Sequence, residues 1–207
     1  MSAGATLDRP HVWRPASTPG LPPLLLLHGT GDDEHGLLPL GEALSPGAAL
    51  LAPRGTVLEG TALRFFRRLQ LGVFDESDLR ARADELAGFV RAASTAYGVV
   101  PGSFVAVGFS NGANMATALL LTHPELLAGA VLIGAVPPFT DPPSTVLTGR
   151  RVVVSNGQRD PYALPEQTDA LVDQLRARGA DVNLLSHPGG HQLVAEHLPA
   201  MQAVVQA

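Results

Sequence analysis

Six short apolar runs, each continuous rather than alternating and each followed by a stretch of helical spacing, constrain this chain more than any other feature. They are LLLLH (24–28), AALLAP (48–53), FVAVGF (104–109), AVLIGA (130–135), RVVVSN (151–156) and VNLLSH (182–187). A strand with one wet face alternates polar and apolar residues. A strand that is apolar throughout must be covered on both faces, which is the condition of a parallel sheet layered by helices. The clearest helix is drawn by Leu79, Ala83, Leu86, Val90, Ala93 and Tyr97, whose steps of four and three place all six on one stripe. Further helical stretches run over about 112–122, 165–178 and 191–205. The expectation is an α/β protein with a mostly parallel sheet and helices on both faces, forming a single domain over residues 1–207.

Composition then removes whole classes of chemistry. All 14 basic residues are arginine, and the chain has neither cysteine nor lysine. Thiol nucleophiles, thiolate metal sites, disulfides, Schiff-base lysines and the lysine of a phosphate-binding P-loop are therefore excluded. A covalent nucleophile has to be Ser, Thr or a carboxylate. The net charge of −5 gives no electrostatic footprint for nucleic acid. The first 17 residues lack the apolar core of a signal peptide, and the best apolar run, Leu24 to Leu27, is far too short to span a membrane. The expected protein has no nucleic-acid or membrane partner and is cytoplasmic.

In sheets of this kind ligands gather at the carboxyl ends of the strands. Four such junctions carry reactive residues. FVAVGF runs into Ser110-Asn111-Gly112, making Gly108-Phe109-Ser110-Asn111-Gly112 a G-x-S-x-G between a strand and a helix. Small neighbours at 108 and 112 permit a turn sharp enough to lift the serine hydroxyl above the sheet. Ten serines and 22 glycines in 207 residues give roughly 0.1 such pentapeptides by chance. The blander alternative is a glycine-rich turn with a serine near the helix cap. Two further junctions weigh against it. Asp160 follows the VVVSN strand in Gly157-Gln158-Arg159-Asp160, and His191 follows VNLLSH in Pro188-Gly189-Gly190-His191.

The chain order serine, acid, histidine distinguishes this set from other serine hydrolase arrangements. His191 would take the serine proton and return it to the leaving group. Asp160 would fix the imidazole tautomer and stabilise the imidazolium. His187 is the nearest rival base, at the strand terminus rather than on the loop beyond. Asp141, Asp169 and Asp173 are the rival acids, the last two inside a helical pattern. The fourth junction, His28-Gly29-Thr30-Gly31, and the residue after the serine would supply oxyanion donors: the amides of Thr30 and Asn111. A dinucleotide loop would need glycine where Glu34 stands. The run Asp32-Asp33-Glu34 reads as solvated acids, so no metal is expected.

Through HGTGDDE, GFSNGAN, GQRDP and PGGH the sequence resembles the phospholipase/carboxylesterase family of α/β-hydrolases. Through residues 54–79, RGTVLEGTALRFFRRLQLGVFDESDL, and GFSNGANMA it is most similar to the branch of carboxylesterases found with hydroquinone-detoxifying dioxygenases. The resemblance runs from HVWRP to the last helix. It departs at Ala135-Val136-Pro137, where that branch commonly has methionine before the proline. The resemblance implies the α/β-hydrolase fold and a serine carboxylesterase. It also implies that no cofactor is needed, that small acyl esters are the substrates, and that the protein is a homodimer, as members often are.

Sheet and helices use almost the whole chain, leaving residues 54–78 and 136–149 to cover a pocket and no separate cap domain. A shallow, open site favours small to medium esters hydrolysed through an acyl-enzyme. Phe65, Phe66, Arg64, Arg67 and Arg68 form an amphipathic knot in the first cover segment, where Phe65 or Phe66 is expected to line the acyl or alcohol pocket and one of the arginines, Arg64 foremost, to favour a substrate carboxylate. The alternative is that these aromatics pack in a subunit interface and the arginines pair with the many acids. An acyl-protein thioesterase or deacylase would use the same machinery, and a non-catalytic ligand-binding module of the same fold is the reading from a different class.

Overall fold

The computed structural model describes Leu7 and residues 9–206. Most of the start of the stretch examined for a signal peptide, residues 1–6 and 8, therefore lies outside the described residues. The main sheet has seven strands: β1 (His11–Arg14), β2 (Leu24–Leu27), β3 (Leu50–Pro53), β8 (Phe104–Phe109), β9 (Leu127–Ile133), β10 (Arg151–Gly157) and β11 (Asp181–His187). Their spatial order is β1-β3-β2-β8-β9-β10-β11. Only β1 runs antiparallel to its neighbour; the other pairs are parallel. All six apolar runs of the sequence are strands of this sheet.

Two apolar layers explain why those runs do not alternate. Leu25, Leu27, Ala106, Ala130, Leu132, Val152 and Val154 face one side. There they meet α2 (Glu76–Tyr97), α3 (Asn111–Thr122) and α4 (Pro165–Arg176) through Leu79, Leu86, Ala116, Leu171 and Leu175. Their strand neighbours Leu24, Leu26, Val105, Val107, Val131, Ile133 and Val153 face the other side, against Leu38, Leu44, Met201 and Val205 of α1 (Leu38–Leu44) and α5 (Leu198–Val205). Period-two pleating sends successive side chains to opposite faces, and here both faces are dry. Each fully buried aliphatic side chain contributes ~1.5–3 kcal/mol.

The last helix begins at Leu198, later than the spacing suggests. Residues 191–194 form a loop and 195–197 a single 3-10 turn, and Pro199 sits in the first helical turn where its missing N–H costs no bond. No helix among the described residues is long and apolar enough to cross a membrane. Residues 54–75 form two small hairpins, β4 (Val57–Glu59) with β5 (Ala62–Arg64) and β6 (Arg68–Gln70) with β7 (Val73–Phe74). They project from the carboxyl edge of the sheet beside the site described next.

Candidate active site

Strand β8 ends at Phe109 and α3 starts at Asn111, so Ser110 alone makes the turn. It does so at φ 54° and ψ −117°, and it is the only described non-glycine residue with positive φ. Such a backbone costs about 1–3 kcal/mol and persists only where its surroundings fix it. Here the Ser110 amide donates to the Ile133 carbonyl (2.8 Å), tying the turn to the end of β9. A Cβ at 112 would stand 2.0 Å from the Leu27 carbonyl oxygen, and one at 108 would stand 2.6 Å from the Gly112 carbonyl oxygen. Both glycines of the pentapeptide are thus required by backbone-to-backbone packing between α3, β8 and the end of β2.

Two strands further along, Asp160 follows β10 and is 2% exposed. Its Oδ1 accepts from the amides of Tyr162 (2.8 Å) and Ala163 (3.2 Å), and its Oδ2 meets Nδ1 of His191 at 2.7 Å. The first pair of bonds orients the carboxylate. The third presents the imidazole with Nδ1 toward the acid and Nε2 free for other work. The His191 ring is boxed by Phe109 (centroids 5.0 Å apart) and Tyr162 (5.1 Å), and a Cβ at Gly134 would lie 2.6 Å from its Cε1. His187 is buried elsewhere, edge-on to His197, with Nδ1 accepting from the Gly189 amide. Asp169 and Asp173 lie on the exposed face of α4.

Ser110 and His191 line one cleft of about 520 Å³, together with Thr30, Asn111, Arg64, Arg68 and Tyr162 among others. The Ser110 hydroxyl itself makes no hydrogen bond to any described residue, so it is not joined to His191 in this structure. The backbone amides of Thr30 and Asn111 likewise have no acceptor among the described residues. Unpaired amides at the first turn of a helix and in an adjoining loop are ready to receive an anionic oxygen.

The loop that carries Thr30 is held from both sides. His28, at the end of β2, is buried; its Nδ1 meets the Gly29 carbonyl (2.7 Å) while its Nε2 accepts from the Gly55 amide (2.9 Å). The ring is therefore the neutral Nδ1–H tautomer, and burial pushes its pKa below the ordinary value. On the other side Arg64 donates from Nη1 to the Thr30 hydroxyl (2.7 Å), and Gly31 donates to the Leu63 carbonyl (2.9 Å). The Asn111 side chain accepts from the Phe65 amide (2.7 Å). Sequence reasoning passed over His28; the signal available was an imidazole ending a wholly apolar strand just before a glycine turn.

The expectation for Phe65 and Phe66 is corrected by the structure. They are 1% and 0% exposed and belong to the core, with Phe65 against His28 and Phe66 against Phe74. They occupy the bend between the two hairpins, where consecutive side chains need not diverge, so both turn inward. Phe74 and Leu71 line the cleft instead. Of the arginines, Arg64 lines the cleft as expected. Arg67 does not; it is exposed and bound to Asp75 and Asp78. Arg68, the third arginine of that segment, lines the cleft too. In the run 32–34, Glu34 is gripped by the Arg54 guanidinium at 2.5 and 2.6 Å, which holds its carboxyl below the usual range.

A strained serine between a strand and a helix, an acid–imidazole pair in the same cleft, and two free amides, one in the Thr30 loop and one at the start of α3, meet at the carboxyl edge of a doubly covered parallel sheet. The chain belongs to the α/β-hydrolase fold family: a family profile described as "alpha/beta hydrolase fold" matches residues 80–189. MhqD of Bacillus subtilis (strain 168), named as a hydrolase, is 43% identical over 170 residues, covering 82% of this chain and 85% of that protein. The crystal structure of the Bacillus cereus carboxylesterase is 37% identical, with a TM-score of 0.92 over 95% of this chain and 92% of that one. A carboxylesterase from Mesorhizobium loti is 29% identical, with a TM-score of 0.88 over 98% of this chain and 95% of that one.

Proposed function

We propose that this chain is a serine carboxylesterase acting on small to medium acyl esters through an acyl-enzyme. The observation that carries the reading is the 2.7 Å contact of Asp160 with His191 in the same cleft as Ser110, whose backbone is held at φ 54°. His191 Nε2 takes the Ser110 proton as Oγ attacks the ester carbonyl, and the resulting oxyanion is received by the amides of Thr30 and Asn111. The protonated ring, steadied by Asp160, passes its proton to the departing alkoxide. A water then enters, gives a proton to His191 and attacks the acyl carbonyl, and His191 returns the proton to Ser110 Oγ as the acid departs. The Ser110 to His191 hydrogen bond forms in the Michaelis complex, where catalytic contacts tighten.

No step in this sequence calls on a cofactor or a metal. Carboxylesterases among the similar structures support an oxygen ester over a thioester, and matched ester and thioester substrates separate the two. The test is labelling with a fluorophosphonate, followed by a series of acyl esters of increasing chain length. The expected result is one adduct, on Ser110, with turnover that falls as the chain lengthens. An adduct on another residue, or robust turnover by Ser110→Ala, overturns the reading.

A further inference from the structure

We propose that the ester taken by this site carries a carboxylate, bound by Arg64 and Arg68 on the hairpin wall of the cleft. The inference rests on the esterase reading above and adds the substrate class to it. The chain as a whole is acidic, with a net charge of −5. Its cleft is the reverse: two arginines line it and no Asp or Glu does.

Arginines on a protein surface are often matched to acids, and several of these are. Arg67 has Asp75 and Asp78, Arg82 has Glu85 and Asp78, and Arg54 has Glu34. At the cleft the matching falls short. One carboxylate, Glu59, serves both Arg68 and Arg64. It takes three close bonds from Arg68 (2.5–3.1 Å) and stands 3.5 Å from Arg64 Nε. Arg64 is 3% exposed, and its other bonds go to neutral oxygens, the Phe66 carbonyl (3.1 Å) and the Thr30 hydroxyl (2.7 Å). Its Nη2 makes no hydrogen bond among the described residues.

A guanidinium removed from water without a full counter-charge is costly, and the deficit is relieved when an anion enters. The planar fork of Arg suits a carboxylate, and Arg68 beside it adds long-range attraction. Because Arg64 also holds Thr30, the same cation joins recognition to the loop whose amide would receive the oxyanion. A neutral ester leaves the excess positive charge of this wall unanswered; a carboxylate-bearing ester answers it.

The test compares kcat/KM for two matched pairs. One carries the charge on the acyl side, mono(4-nitrophenyl) adipate against its methyl ester. The other carries it on the alcohol side, 4-acetoxybenzoate against methyl 4-acetoxybenzoate. The expected result is a preference for the acid of about tenfold or more in one pair. Arg68→Gln should bring that ratio to within about threefold, Arg68→Lys should restore much of it, and Arg67→Gln should leave it unchanged. Arg64→Gln should lower turnover of both members while also reducing the ratio. Equal or poorer turnover of the acids in both pairs overturns the inference and leaves the esterase standing. A preference untouched by both Arg64→Gln and Arg68→Gln also overturns it. If the neutral esters are not hydrolysed and the fluorophosphonate does not label Ser110, the underlying esterase reading is what fails.

Discussion

The two walls of the cleft are built by different physics. On the sheet side, Ser110, Asp160 and His191 sit within a few residues of the ends of β8, β10 and β11. Their backbones are fixed by close packing at Gly108, Gly112 and Gly134 and by bonds to main-chain amides. On the hairpin side, strands of two or three residues are anchored to the core at Phe65 and Phe66, their arginines are ion-paired, and apolar residues at Leu58, Leu69 and Leu71 stay exposed. The packed wall tolerates almost no added volume. The exposed side chains of the hairpin wall can change with little effect on the fold, which suits that wall to the selectivity proposed above.

If that contrast holds, the largest effect comes from the packed wall. Ser110→Ala is expected to lower kcat by about 10⁴-fold or more with an unchanged circular-dichroism spectrum, since it removes the attacking atom and nothing that supports the turn. Asp160→Asn keeps the two amide bonds to Oδ1 but turns an NH₂ donor to His191, which favours the tautomer with Nε2 protonated. Its expected loss is about 10²- to 10⁴-fold in kcat with little change in KM. An equal loss appearing mainly in KM would mean that Asp160 shapes the cleft rather than orienting the ring. Gly112→Ala tests the packing directly. With its Cβ 2.0 Å from a carbonyl oxygen, α3 must shift against β2, and urea denaturation should record a loss of about 3 kcal/mol or more. A stable Gly112→Ala protein would break the comparison at its base.

Legibility in the sequence follows the same division. The sheet could be read because its strands are buried on both faces and so apolar without interruption, and each reactive residue follows such a run directly. Gly-flanked Ser110 carried its own geometric signal. The hairpins gave no such signal. Strands β4 to β7 mix charge and apolar residues over two or three positions, too few to show a period, and their pairing depends on contacts distant in sequence. Adjacent aromatics in a cover segment suggest exposure, yet Phe65 and Phe66 lie in the core. The bend that buries both is held by the Phe65 amide on Asn111, 46 positions away. The seven residues of α1 were likewise too short to display a stripe.

His28 joins the two walls and provides a gentler probe. Burial lowers its folded-state pKa below the ordinary 6.5, so the unfolded chain binds the proton more readily. Stability from this group is present above pH ~6.5 and is lost as the pH falls below it, toward the lowered folded value. Protonation also removes the acceptor that Nε2 offers to the Gly55 amide. The urea midpoint should decline between pH 7 and 5, and more steeply in the parent than in His28→Asn. Some slope should persist in the variant, because burial depresses His197 in the same direction. Identical slopes in parent and variant would remove His28 from the account.

The smallest effect is expected at Arg67, and its smallness is the point. Arg67 stands between Phe66, which is buried in the core, and Arg68, which lines the cleft, yet its own side chain is exposed and faces Asp75 and Asp78 away from the cleft. Exposed ion pairs of this kind add little, because water and salt screen them and two long side chains must be held still. Arg67→Gln should move Tm by no more than about 2 °C and leave kcat/KM within about twofold for neutral and acidic esters alike. A marked change in either would mean that charge is read over the whole hairpin rather than at the two positions that reach the cleft. The wall would then act as a diffuse electrostatic field, and raising the salt concentration would abolish the Arg67 effect along with those of its neighbours.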